Sequence, residues 1–324
     1  RNILGRGFIG VPIAITVESA NILTRSLIVF GQGAIRCHPF VQEEMNAVGA
    51  RDLVRFDRAF FSHIGFVFKN MARTFLLAVT GGALAPSPVG DFTAGYFKAL
   101  TRYSAAFALI TDIALATLGG GLKRREKISG RMADALAWMY IGSAALKRFH
   151  DEGRPARDRV VLDWSLQLAL WKVQEALRGV IENLPNRAAA AFLCPLVFPL
   201  GAGRRPPSDK LGAQVAADLL DDKELRLHLT SDIFVPKTGE PGLGQLEEAL
   251  DAVVATQDIR SKIRDAARIR RFGDLPRDKL ADEAHAQGVI TKDEYDRLAA
   301  AEALRDDAIQ VDYFDPETYR GLKG

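Results

Sequence analysis

The chain has 324 residues, with 43 basic against 40 acidic side chains and a formal net charge of +3. So even a balance leaves no electrostatic footprint for nucleic acid. Two cysteines, Cys37 and Cys194, exclude a disulfide framework and fit a reducing compartment. The first residue is Arg, in mid-motif, which reads as the start of a fragment of a longer protein. No signal peptide is visible, and no apolar run reaches the roughly 20 residues of a spanning helix.

Strand signals are nearly absent; the best, Val11 to Val17, is short and contains Pro12. Helical spacing starts at Asn21, a plausible N-cap, and runs to Ile35, loosened by Gly31 and Gly33. Cys37-His38-Pro39 ends it, and a short helix follows to about Val48. Four long amphipathic stretches come next: 52–80, 92–118, 123–151 and 157–183. Their joints are Gly81-Gly82 with the loop 83–91, the glycines at 119–121, Gly153, and Pro185. Such stretches predict an all-α, antiparallel helical bundle.

From residue 186 the character changes, so the chain divides into 1–185 and an additional helical region, 186–324. The run AAAAFLCPLVFPLGAGRR, 188–205, is Ala- and Leu-rich and broken by Pro195 and Pro199. It reads either as a buried helix or as an interfacial segment anchored by Arg204 and Arg205. Ser208-Asp209 caps a helix to about Leu220, and a Gly/Pro loop spans 237–244. Polar amphipathic helices are expected at 245–271, 277–287 and 291–309, the last opened by a capping box at Thr291 and Glu294.

One short stretch raises a chemical question. In IAITVESANILTR, residues 13–25, Glu18 stands between two apolar runs. A carboxylate there must reach water, find a partner, or have its pKa raised for a purpose. Glu18-Ser19-Ala20-Asn21, with Arg25 beyond, resembles the glutamate-glycine-threonine motif of acyl-CoA dehydrogenases. TRSLIVFGQGAIRCHP (24–39), LGGGLKRREKISGR (118–131), NLPNR (183–187) and PSDKL (207–211) are similar to the bacterial long-chain fatty acyl-CoA dehydrogenase subfamily. That subfamily carries an extra C-terminal helical region, and the resemblance spans Phe8 to about Tyr313.

The resemblance implies an FAD-dependent enzyme that oxidises fatty acyl-CoA to trans-2-enoyl-CoA in β-oxidation. Glu18 matches its catalytic base, which removes the α-proton while the flavin N5 takes the β-hydrogen as hydride. Ala20, Asn21 and Arg25 match cofactor-side positions; Ser19 and Ala20 depart from the usual Gly and Thr. The resemblance also implies electron-transferring flavoprotein as acceptor and a homo-oligomer. It places the protein in the cytoplasm, with peripheral inner-membrane contact through 188–205 as a further reading. The chemistry suits the setting, because apolar neighbours such as Ile15, Val17 and Ile22 raise a carboxylate's pKa toward that of a useful base. The alternative from another class is a non-catalytic helical dimerisation or membrane-docking module in which Glu18 is only a helix-start acid.

Other candidates read as structural. Cys37-His38 lacks a second ligand pair at metal spacing, so no metal is expected. His63, among Phe60, Phe61, Ile64 and Phe66, reads as a packed histidine. The glycines at 119–121 before Lys123, Arg124, Arg125 and Lys127 read as a joint with a basic face. Trp138, Trp164 and Trp171 read as core.

Overall fold

The computed structural model describes residues 10–13, 23–231, 233–234, 240, 242–269, 272–273, 275–310 and 315–321. Among the described residues every regular element is helical, and the chain is all-α. It divides into two compact units, one running to Val215 and the other from Ala216 onward, to which the described residues 10–13 also belong.

The first unit opens with α1 (Thr24–Gln32), wound as a π-helix, and α2 (Gly33–Arg36). Gly33 N–H bonds to Ile28 O, five residues back, which closes the wide turn. Gly31 belongs to this winding. A Cβ there would come 3.1 Å from the Ser26 carbonyl oxygen, tighter than side chains normally tolerate. The glycines therefore shape the helix instead of interrupting it. Then come α3 (Val41–Ala50), α4 (Leu53–Val79), α5 (Ala94–Leu118), α6 (Glu126–Asp151), α7 (Arg159–Glu182) and α8 (Arg187–Val197). Asp52 caps α4 by accepting from Arg55 N–H, and Asn186 caps α8 by accepting from Ala189 N–H. The 119–124 joint is a 3-10 turn.

The core lies along α5, α6 and α7. Leu109, Ile110, Met132, Leu146, Leu166 and Leu170 are all fully buried there. The stretch from Ala94 to Arg124 is in fact long and apolar enough to cross a membrane by length and composition. Lys98, Arg102 and Asp112 interrupt its apolar residues, which is why no unbroken run stands out in the sequence. Its buried face packs against α6 and α7.

The boundary expected at 185/186 differs from the compact unit, which continues for some thirty residues (186–215). The reason is packing: Ala190, Leu193, Val197 and Phe198 of the 188–205 run fill the bundle core. Pro195 does not stop α8, because it sits in the last turn, where few backbone bonds remain to lose. The segment after α8 is pinned by Gln174. That buried amide accepts from Arg204 N–H at 3.0 Å and donates to Arg204 O at 3.0 Å. The Arg204 guanidinium lies 5.8 Å from the Tyr103 ring centroid. The buried-helix reading accounts for these contacts, and an anchor with both arginines free for lipid does not.

In the second unit, α10 (Lys223–Leu229), α11 (Leu243–Val254), α12 (Gln257–Arg268), α13 (Leu280–Ala286) and α14 (Lys292–Ile309) follow α9 (Asp209–Asp221), which crosses the division. The single helix expected over 245–271 is two helices. Buried Thr256 turns its hydroxyl back onto Ala252 O and Val253 O, and the chain restarts at Gln257. Ile259, Ile263, Phe272, Ile290 and Leu298 make a separate small core. The capping box at Thr291 and Glu294 is present as expected.

Glu294 also receives Lys262, and that hydrogen bond, ahead of those from Thr291, holds its carboxyl below the ordinary carboxylate value. A carboxyl depressed in the folded state stabilises above its unfolded pKa and stops doing so as pH falls through the folded one. Thermal unfolding followed by circular dichroism should therefore show a stability loss below about pH 4.5. Glu294→Gln should flatten that loss while lowering the melting temperature at neutral pH; an unchanged acid limb counts against the assignment.

Candidate functional site

Of the expected site residues, Glu18, Ala20 and Asn21 lie outside the described residues; Arg25 is described. Arg25 stands in the first turn of α1 and reaches across to α6, where its Nε and Nη2 donate to the two carboxylate oxygens of Asp134 at 2.6 and 2.5 Å. The fork-on-fork geometry is the strong form of this pair. The Asp134 hydrogen bond raises the Arg25 pKa above its ordinary value, against a smaller opposing effect of burial. Gly130, one turn before Asp134, makes the approach feasible: a Cβ there would sit 3.1 Å from Arg25 Nη2 and 3.2 Å from Cζ. Arg25, Ser26, Glu126, Lys127 and Arg131 line a polar cavity of about 300 Å³.

A second set of polar groups meets where α3, α4 and α5 converge. Asp112 is an almost fully buried carboxylate in the middle of α5, and His38 Nε2 lies 2.8 Å from its Oδ1. His38 Nδ1 accepts from Phe40 N–H and Val41 N–H, both at 3.2 Å, so it caps α3. That leaves the ring hydrogen on Nε2, donated to Asp112. His63 Nδ1 donates to Glu44 Oε1 at 2.8 Å, its Nε2 faces Asp112 Oδ1 at 3.7 Å, and its ring stacks on Phe40.

Ligand atoms of His38, His63 and Asp112 fall within 4.8 Å of one another. A metal-bound imidazole, however, normally donates from its other nitrogen, and His38 Nδ1 is already an acceptor. The set is a polar brace in which His38 bonds to Asp112 and His63 to Glu44, while His63 Nε2 faces Asp112 at 3.7 Å without a hydrogen bond. His63 is thus more than packing, and what the sequence reading missed is its bond to Glu44 and its approach to Asp112. The one signal for it was a lone acid, Asp112, inside the apolar run FALITDIALATL.

This brace forms part of the wall of an apolar cavity of about 780 Å³. Ile35, Met45, Ile64, Val67, Ile113 and Leu122 supply the hydrocarbon lining, and Lys123 an ammonium. A smaller cavity of about 270 Å³, also lined by His38 and Asp112, includes Phe30, Phe66 and Phe107.

The fold is an all-α bundle with an apolar cavity and a separate small polar pocket next to α1. The sequence profile described as "Acyl-CoA dehydrogenase, C-terminal, bacterial type" matches residues 35–314, and the chain belongs to that family. No solved structure matches the chain. Glu18 and Arg25 precede the matched span. As for the flavin, Lys127 and Arg131 would suit the anionic end of such a cofactor by their charge, with Ser26 as a neutral donor, while Arg25 is paired with Asp134 and Glu126 opposes them in the same pocket.

The Arg25 clamp makes a measurable prediction. Gly130→Val should displace the guanidinium, and Asp134→Asn should remove its partner. Each should lower amide-exchange protection in α1 by up to about five-fold, in line with ~0.2–1 kcal/mol for a half-exposed pair. Unchanged protection in both variants would show that the pair does not hold α1.

Proposed function

We propose that this chain supplies the C-terminal, catalytic-base-bearing part of an FAD-dependent acyl-CoA dehydrogenase acting on long-chain fatty acyl-CoA. The observation that carries the reading is family membership over 35–314, directly downstream of a Glu18–Arg25 stretch that resembles the family's base motif. Support also comes from the Arg25–Asp134 clamp, which fixes α1 seven residues beyond Glu18. The apolar cavity beside α1 suits the hydrocarbon part of a fatty acyl thioester.

In this mechanism the Glu18 carboxylate takes the α-proton. The Glu18 N–H meets the thioester oxygen as charge develops there, where a fixed donor counts most. Bound flavin supplies an acceptor for the β-hydrogen, leaving the trans-2-enoyl thioester. Lys127 and Arg131 hold the cofactor's anionic end, with Ala20, Asn21 and the Asp134-paired Arg25 on the flavin side. Electron-transferring flavoprotein is the proposed acceptor, and the cytoplasm the proposed compartment.

Glu18→Gln keeps shape and backbone donor but cannot accept the proton. In the enzyme that carries this chain, turnover should fall by ~10²–10⁴-fold while flavin absorbance stays at wild-type stoichiometry. A variant keeping more than a tenth of wild-type turnover sinks the assignment. A second substitution tests the cavity. Ala116 lines it, and Ala116→Trp should raise KM for long-chain substrates by about ten-fold while leaving short-chain KM unchanged, the scale of losing a few buried methylenes. Equal effects on both chain lengths would remove the acyl chain from this cavity and leave the Glu18 result standing.

A further inference from the structure

The smaller cavity, of about 270 Å³, is walled mainly by Phe30, Phe66, Phe107 and Leu136. Two edge-to-face pairs, Phe30 with Phe107 and Phe66 with His38, fix its rings. Into this apolar setting comes Asp112, whose residue is only 4% exposed and whose Oδ2 has no hydrogen-bond partner among the described residues. Its Oδ1 is met by His38, which brings a hydrogen but, with Nδ1 an acceptor, no charge. No lysine or arginine pairs with Asp112 among the described residues. A buried carboxylate met only by neutral groups lacks a positive charge.

The other polar groups of the lining are already engaged. His38 uses both ring nitrogens, and the Thr111 hydroxyl donates to Phe107 O at 2.8 Å. Cys37 offers a thiol, which is a weak donor. The strong unmet capacity of the cavity is therefore an acceptor, and it carries a negative charge.

We propose that this cavity binds a small hydrophobic amine in its protonated form, with the ammonium donating to Asp112 Oδ2 and an aryl or alkyl body lying among Phe30, Phe66 and Phe107. An ammonium supplies the missing charge and the missing hydrogen together, in a charge-assisted bond. Aromatic walls favour the same sign of charge. At ~30 Å³ for each water-sized group, the volume holds about nine non-hydrogen atoms, the size of a phenylethyl- or octylammonium ion. A carboxylate or phosphate ligand meets a like charge here. A bare metal ion finds one carboxylate and one hydroxyl, fewer oxygen ligands than hard cations take. Of the residues lining this cavity, only Asp112 also borders the cavity given to the acyl chain, and the inference does not depend on the dehydrogenase reading.

Isothermal titration of the full chain near neutral pH with 2-phenylethylammonium chloride should show one site per chain. 2-Phenylethanol, equal in size with a neutral donor, should bind about ten-fold more weakly, and phenylacetate should not bind. In Asp112→Asn, His38 holds the amide oxygen, so an N–H group takes the place of Oδ2. Ammonium affinity should then fall by ~10- to 100-fold. If that variant fails to fold, Ala108→Trp decides: Ala108 lines this cavity and not the larger one, and an indole there should abolish binding while circular dichroism stays at the wild-type level. The proposal is overturned by no binding of the ammonium, by equal binding of the alcohol or the carboxylate, by an equal response to ammonium chloride alone, or by an affinity that neither variant changes.

Discussion

The buried carboxylate of Asp112 governs the arrangement of the bundle's first half. A charge in the middle of an apolar helix must be paired, or its burial costs several kcal/mol. His38 supplies the pairing hydrogen through Nε2, and can do so only while Nδ1 accepts from the first amides of α3. One acid on α5 therefore sets the tautomer of a histidine, the turn at Cys37-His38-Pro39, and the entry point of α3. Glu44 on α3 and His63 on α4 complete the brace, so three helices are held at one corner. The apolar cavity lies against that corner.

A second constraint acts at the other end of α1. The π-winding of Thr24–Gln32 and the Arg25 fork onto Asp134 both depend on the absence of a side chain, at Gly31 and at Gly130. Wide helical turns are costly and occur mostly where function requires them. Here the wide turn directly follows the stretch carrying Glu18, which ties local backbone geometry to the proposed chemistry. The clamp is half exposed, so its value is positional more than energetic.

The extra helical region is two different things in physical terms. Residues 187–197 belong to the bundle core, and Gln174 carries the following segment across α7 through paired bonds to Arg204. From Ala216 onward a small separate core and a set of ion pairs between exposed helices take over. The family profile spans both parts, so the compact units and the evolutionary unit have different edges.

What the sequence by itself determined was what depends on neighbours along the chain. Helix class, the four long stretches and the capping box at Thr291 all rest on local spacing, and the resemblance around Glu18 rests on contiguous motifs; the cap at Asp52 was visible only in the structure. The bundle's existence followed from apolar stripes alone. Tertiary structure decided whatever depends on residues far apart: that Leu193 and Val197 finish the core, that Arg25 meets Asp134 over Gly130, and that His38, His63, Glu44 and Asp112 converge. Pairings of that kind are set by packing geometry in three dimensions, and no periodicity in one dimension encodes them.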